Sequence, residues 1–129
     1  MFSRTIACVM AAAICATPSI AHAADQFDLD CTDGKKETEH FRIDLIKNEW
    51  CFAKCGYVQK IVEVTSGLLK LHDHEPSLPG DSRYYMHINR ITGEWSWYNY
   101  DPRYRSLMNI KGVCTPAPYS GMPSSEAKF

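Results

Sequence analysis

Residues 83–100, RYYMHINRITGEWSWYNY, are the stretch that decides the fold class. Polarity alternates from Tyr84 to Asn89, and aromatic residues resume after Gly93. Alternation with a period of two is typical of a β-strand, and aromatic side chains suit a half-buried pleated surface. A glycine at this point supplies the positive φ that a hairpin loop with a G1 bulge requires. The stretch therefore predicts a β-hairpin.

Aromatic residues occupy both faces of the second strand of this hairpin. Trp95 and Trp97 share one face, so we expect one set to fill the core and the opposite set to be exposed. Exposed tyrosines next to arginines would suit a glycan, a peptide or a protein surface. The simpler interpretation, which we favour, is that they form cross-strand pairs that stabilise the sheet. The candidate binding residues are Tyr98, Tyr100, Arg103 and Arg105.

More strands are indicated on both sides of the hairpin. The segments with alternating or β-branched residues are 27–31, 40–46, 50–52, 60–64, 68–72 and 106–114. Short turns between consecutive strands favour neighbouring positions in space, and the natural twist of a sheet favours closure. We therefore predict an all-β fold, an antiparallel meander of about six to seven strands that forms a curled sheet or small barrel. A two-layer sandwich is the alternative.

Three segments divide the chain. Residues 1–23 have the parts of a secretory signal peptide, namely Arg4, an apolar run over 5–16 and a small-x-small cleavage site that ends at Ala23. We predict a signal-peptide helix there, a β domain over 24–114 and a Pro- and Ser-rich surface tail, in part disordered, over 115–129. No other segment approaches the roughly 20 apolar residues of a membrane span. We expect a soluble bacterial protein in the periplasm or outside the cell.

The charge balance excludes some classes of partner. The chain has 14 basic and 15 acidic residues, and loss of residues 1–23 removes Arg4 and no acidic residue, which leaves a formal charge of −2. A nearly neutral protein has no long-range field that attracts nucleic acid or anionic lipid. We therefore expect no nucleic-acid partner.

The cysteines predict two disulfides. Four of the six remain after cleavage, and an even number in an oxidising compartment indicates disulfide pairing. Cys51 and Cys55 are close enough for one turn to join them, which leaves Cys31 for Cys114. Four cysteines formally allow three pairings. The spacing does not fit a zinc site, because Cys31 and Cys114 have no cysteine nearby.

A histidine cluster offers the alternative function. His72 and His74 would point to one side if their strand continued through His74, and His87 on the next strand would supply a third ligand for zinc or copper. The opposing interpretation is that this segment leads into a Pro-rich loop where charged residues are simply solvated. Metal binding through these three histidines is therefore an alternative to be tested.

Motifs for catalysis are missing from the sequence. There is no Gly-x-Ser-x-Gly nucleophile motif and no phosphate-binding glycine loop. The carboxylates at positions 28, 30, 33, 44 and 49 are expected to be a solvated face rather than an acid–base pair. We predict no catalytic residue and no cofactor. The expected function is a binding or structural module that contacts an envelope component or another protein.

Five motifs carry a resemblance to known proteins. They are F-x-L-x-C at 27–31, F-R-I-D-L at 41–45, W-C-x-x-x-C at 50–55, I-x-R-x-T-G at 88–93 and G-x-C-x-x-A-P-Y-S-G at 112–121. The pattern resembles a group of small exported bacterial proteins of uncharacterised function, which implies export and a cysteine framework but no active site. A looser likeness in size, β-content and early-to-late disulfide is to small periplasmic lysozyme-inhibitor barrels, and it concerns architecture alone.

Overall fold

Antiparallel strands make up the regular structure of residues 24–123, the part of the chain that the computed structural model describes. The strands are β1 (Gln26–Asp33), β2 (Thr38–Asp44), β3 (Glu49–Phe52), β4 (Gln59–Lys60), β5 (Glu63–Val64), β6 (Leu68–His74), β7 (Arg83–Asn89), β8 (Glu94–Asp101) and β9 (Ser106–Ala117). They form one sheet in the order β4-β3-β2-β1-β9-β8-β7-β6-β5. The all-β prediction is confirmed. The predicted signal-peptide helix and residues 124–129 lie outside the described residues, in which no helix is long and apolar enough to cross a membrane.

The sheet curls into a half-barrel around an aromatic core. β2 and β8 are separated by two strands in the sheet, yet the rings of Phe41 and Trp95 meet edge to face with their centroids 5.7 Å apart. Trp50 on β3 likewise lies 5.1 Å from the ring of His72 on β6. The buried cluster comprises Leu29, Cys31, Phe41, Ile43, Trp50, Ile61, Leu69, Leu71, Met86, Ile88, Trp95 and Cys114.

The first and last long strands, β1 and β9, are neighbours, as predicted. Cys31 lies opposite Cys114 in this pair, and the two form a disulfide. Gly112 lies opposite Asp33, and a Cβ atom at this glycine would overlap the carbonyl oxygen of Thr32. Glycine in a strand commonly marks such a close approach of two backbones. The joint between the ends of the chain therefore depends on a disulfide and a glycine.

The second disulfide closes the turn after β3. It joins Cys51 to Cys55, four residues apart. Cys55 has a φ of 54°, and its N–H donates to the carbonyl oxygen of Phe52 at 3.0 Å. Both disulfides are thus the pairs that the sequence favoured.

The predicted single strand over 60–64 is wrong, because the chain changes partner within it. β4 pairs with β3 at one edge of the sheet and β5 pairs with β6 at the other. The N–H of Ile61 donates to the carbonyl oxygen of Asn48 at 3.1 Å. The N–H of the next residue, Val62, donates to the carbonyl oxygen of Lys70 at 2.9 Å. Ile61 is only 4% exposed, so its burial in the core holds the segment at this crossing. One short segment therefore contacts both edges of the curled sheet.

The structure contains the predicted hairpin, which consists of β7 and β8. Gly93 has a φ of 76°, and its N–H donates to the carbonyl oxygen of Asn89 at 2.8 Å. A Cβ atom at Gly93 would lie 2.8 Å from the carbonyl oxygen of Cys114, so this position needs glycine for space as well as for its backbone conformation. Trp95 is buried and Trp97 packs against the core, which leaves the tyrosines of β8 on the outer face.

Residues 115–122 depart from the predicted tail. β9 continues through Ala117, which lies opposite Asp28 of β1. The next residues then lie on the outer face of β1–β3, where the guanidinium of Arg42 donates to the carbonyl oxygen of Gly121 at 2.9 Å. The β domain therefore ends three residues later than predicted. We call residues 118–122 the strap.

Candidate functional site

The outer side of β7–β9 carries exposed aromatic and apolar side chains. Tyr85 lies opposite Tyr98, and Tyr100 lies opposite Leu107. Tyr100 is 36% exposed and Leu107 is 62% exposed, while the other two are half-buried. These four residues, which we call the aromatic face, contribute nothing to the core. They form the candidate binding surface.

The rings of this surface stack on one another. Tyr85 and Tyr98 are nearly parallel, with an interplanar angle of 8° and centroids 5.1 Å apart. His87 stacks against Tyr85 with a centroid distance of 4.8 Å. Offset stacks of this kind stabilise a sheet, as the simpler interpretation of the sequence expected. Each stacked contact covers one ring face, so the stack leaves less free aromatic surface than isolated rings would.

Arginines surround the aromatic face. Arg83 pairs with Glu75 at 2.6 Å, and Arg103 pairs with Asp101 at 2.8 Å. The hydrogen bond from Arg103 lowers the pKa of Asp101 to about 2, so this pair stays ionised. Arg105 lies in the same turn between β8 and β9 and is exposed. The two candidate arginines, Arg103 and Arg105, therefore lie in the turn that follows the strand of Tyr98 and Tyr100.

Some charged side chains on this side of the sheet take part in no ion pair of the described residues. Among the ion pairs of residues 24–123, Arg83 and Arg103 are matched by acidic partners, whereas Arg105 and Lys111 take part in none. Lys111 lies opposite Ser96 on the outer face and is exposed. Two unmatched cations thus flank the aromatic face.

An apolar cleft of about 430 Å³ lies on the inner side of the sheet. It is bordered by the start of β1, the end of β9, strands β6 and β7, and the β7–β8 turn. Its lining comprises Ala24, Phe27, Leu29, Leu69, Ile88, Asn89, Arg90, Ile91, Thr92, Gly93, Cys114 and Pro116. The cleft could not be predicted from the sequence, because its walls are distant in the chain.

The structure does not bring the three histidines of the proposed metal site together. β6 does continue through His74, and a β-bulge lies between Lys70 and His72. After the bulge His72 lies opposite the buried Met86, so that His72 and His74 share the inner face. His87 lies opposite Lys70 on the outer face. The three histidines therefore do not converge as the alternative function would require, because the sheet separates His87 from the other two.

Each of these imidazoles instead packs against aromatic rings. His72 lies edge to face with Trp50, and His74 stacks on Tyr84 at 4.8 Å. Burial lowers the pKa of both His72 and His87, which favours their neutral forms. Within residues 24–123, no three His, Cys, Asp or Glu side chains are grouped so that they could hold a metal ion.

A carboxylate cluster of Asp28 and Asp30 lies beneath the strap. The predicted solvated face is wrong for Asp28, whereas the side chain of Asp30 is 45% exposed. Asp28 is only 1% exposed. Its carboxylate accepts hydrogen bonds from Nε2 of His40 at 2.9 Å and from the backbone N–H and hydroxyl of Ser120 at 3.2 and 2.5 Å. Nδ1 of His40 lies 2.6 Å from Asp30. The hydrogen bonds to Asp30 and Asp28 raise the pKa of His40 and favour the imidazolium.

This arrangement of Ser, His and Asp is not that of a hydrolase. In a catalytic triad the serine hydroxyl donates to the imidazole, which acts as the base. Here the hydroxyl of Ser120 donates to Asp28, and both ring nitrogens of His40 face carboxylates. The imidazole has no free nitrogen that could accept a proton from Ser120. The cluster therefore serves to hold the strap.

A second buried carboxylate, Asp44, holds the other side of the strap. It is 1% exposed and accepts hydrogen bonds from the N–H of Lys47 and the amide of Gln26, each at 2.9 Å. Burial opposes ionisation of Asp44, but these donors outweigh it and lower its pKa. Tyr119 of the strap approaches Asp44 at 3.4 Å, and burial together with this carboxylate raises the pKa of Tyr119.

Comparison with known proteins does not indicate a function for this chain. The chain matches no protein-family model, no curated protein and no solved structure. The class that fold and site define is an antiparallel half-barrel with two disulfides and an exposed aromatic surface. The likeness to small exported bacterial proteins stays a resemblance in sequence motifs.

Proposed function

We propose that this protein is an exported, non-enzymatic binding module of the periplasm or cell exterior, and that its aromatic face binds another protein. The observation that carries the proposal is the placement of Tyr98 and Tyr100 on the outer face, while Trp95 and Trp97 supply the aromatic core. Tyrosine and arginine are enriched in protein interfaces, and tyrosines contribute a large share of their affinity.

Export is supported by the cysteines and by the predicted signal peptide. Disulfides form and persist in oxidising compartments such as the periplasm and the cell exterior. Both disulfides have at least one cysteine with no exposed surface, Cys31 in one and Cys51 in the other. They are thus built into the fold, which fits a protein that matures in such a compartment.

A protein partner suits this mixed surface of tyrosines, an aliphatic side chain and charges. The stacked contact between Tyr85 and Tyr98 covers one face of each ring, which reduces the flat ring surface that a sugar would use. Edges and hydroxyl groups suit the mixed apolar and polar contacts of a protein interface.

The unmatched charges specify the partner further. Arg105 and Lys111 flank the aromatic face without acidic partners among the described residues. Glu94 lies on the same outer face and is likewise in no ion pair of the described residues, so a partner with carboxylates and a basic group around an apolar centre would complement this surface. Such rim charges mainly raise the association rate and its dependence on salt.

The test is affinity capture from envelope extracts, followed by identification of the captured protein and measurement of its affinity. Tyr98→Ala and Tyr100→Ala together should weaken binding at least about thirtyfold, equivalent to about 2 kcal/mol of interface energy. Tyr57→Ala is the matched control, because Tyr57 is 84% exposed and lies in the β3–β4 loop. Undiminished binding by the double variant would exclude the aromatic face.

A further inference from the structure

The apolar cleft reaches from solvent to the core. Ile91 at its rim is 80% exposed, whereas Leu69 and Ile88 in its wall are 1% and 2% exposed. Its volume of about 430 Å³ is within the range of small-molecule sites, which are mostly apolar with a few polar groups. The cleft therefore has the size and lining of a site for an apolar ligand.

Arg90 is the one ionisable side chain that lines this cleft among the described residues. Its guanidinium donates one hydrogen bond, to the carbonyl oxygen of Thr65 at 2.7 Å, and an arginine carries five N–H donors. The side-chain oxygen atoms of Asn89 and Thr92 are occupied within the turn. Asn89 accepts from the N–H groups of Ile91 and Thr92, at 2.9 and 3.0 Å. Arg90 is thus the group that can receive a charged ligand.

We propose that the apolar cleft binds a free fatty acid, with the hydrocarbon chain between β1, β6, β7 and β9 and the carboxylate at Arg90. The chain matches the apolar walls, and the carboxylate complements the single cation. The cleft faces inward while the aromatic face points outward, so this site is independent of the proposed protein-binding surface.

The test uses the secreted protein and simple amphiphiles, with affinities measured by titration calorimetry below their micellar concentrations. Decanoate should bind with one-to-one stoichiometry. Octanoate should bind about fifteenfold more weakly, since each buried methylene contributes about fourfold. Decan-1-ol should bind about tenfold more weakly than decanoate, because it lacks the charge-assisted hydrogen bond.

Variants separate the charge from the apolar walls. Arg90→Gln should reduce decanoate affinity about tenfold and leave decan-1-ol unchanged. Ile91→Asp should weaken decanoate, and it should strengthen decylammonium because the new carboxylate lies at the exposed rim. Lys54→Gln, at an exposed cation in the β3–β4 loop, is the matched control and should bind decanoate normally.

Several results would overturn the proposal. They are the absence of saturable decanoate binding, an affinity that does not depend on chain length, and an unchanged affinity of Arg90→Gln. Sedimentation with phosphatidylglycerol vesicles in the absence of decanoate binding would also overturn it, since the acyl source would then be a membrane. Melting curves of both variants check that they are folded.

Discussion

Removal of the Cys31–Cys114 disulfide should destabilise the protein more than removal of the Cys51–Cys55 disulfide. The change is the replacement of both cysteines of a pair by alanine, so that no free thiol remains. The first bond joins residues 83 apart in sequence, and the second joins residues four apart. In the chain-entropy model a disulfide stabilises by restricting the unfolded chain, and more so for a longer loop.

The loop lengths give the magnitude. The two separations correspond to about 4.5 and about 2 kcal/mol of stabilisation, a difference of about 2.5 kcal/mol. Packing losses should nearly cancel in the comparison. Each pair has one cysteine that is 0% exposed, and the second cysteine is 6% exposed at Cys114 and 7% exposed at Cys55. The difference between the two losses of stability therefore measures the difference in loop-closure entropy.

The assay is urea unfolding of the wild type, Cys31→Ala/Cys114→Ala and Cys51→Ala/Cys55→Ala. The free energy of unfolding is extrapolated to water, and the slope with urea shows whether the unfolded state has expanded after loss of the long cross-link. Equal losses of stability for the two variants, or a larger loss for the short loop, would show that loop closure does not determine the difference. The neighbouring positions of β1 and β9 would then hold the chain ends without the disulfide.

Two further predictions concern β9 and the carboxylate cluster. Gly112→Ala should cost about 1–3 kcal/mol in urea unfolding, because its Cβ would overlap the backbone of β1; Gly34→Ala, with no atom within 4 Å of the new Cβ, should cost less than about 1 kcal/mol. His40 has a raised pKa in the folded protein, so its stabilisation is fully present below pH 6.5 and is lost as the pH rises through the folded pKa. As the pH increases, the melting temperature of the wild type should fall toward that of His40→Gln. A difference in melting temperature that stays constant from pH 5 to 9 would contradict the assigned role of the imidazolium.

Local signals in the sequence predict the centre of the fold. The turn at Gly93 and the alternation around it specify β7–β8, and the same alternation separates Trp95 from Tyr98. The pairing of Cys31 with Cys114 follows from a meander whose ends meet. These features depend on neighbours in the chain or on the order of strands, which the sequence carries directly.

Features that depend on distant residues could not be predicted. Alternation in β1 places Asp28 on the face away from the core, which indicates solvent, but the strap covers it. The bulge before His72 and the crossing at Ile61 likewise arise from packing across the half-barrel. The apolar cleft belongs to the same class, since its walls come together only after the sheet curls.

The central claim is that the aromatic face binds a protein, and site-specific photo-crosslinking in the exporting cell tests it most directly. A benzophenone side chain is introduced in place of Tyr98, and in a separate variant in place of Tyr57, which is 84% exposed in the β3–β4 loop. If the aromatic face binds a protein, the Tyr98 position should give one dominant adduct with a single protein, and the Tyr57 position should not give this adduct. The same adduct from both positions, or none from the Tyr98 position, would exclude the aromatic face as the binding surface.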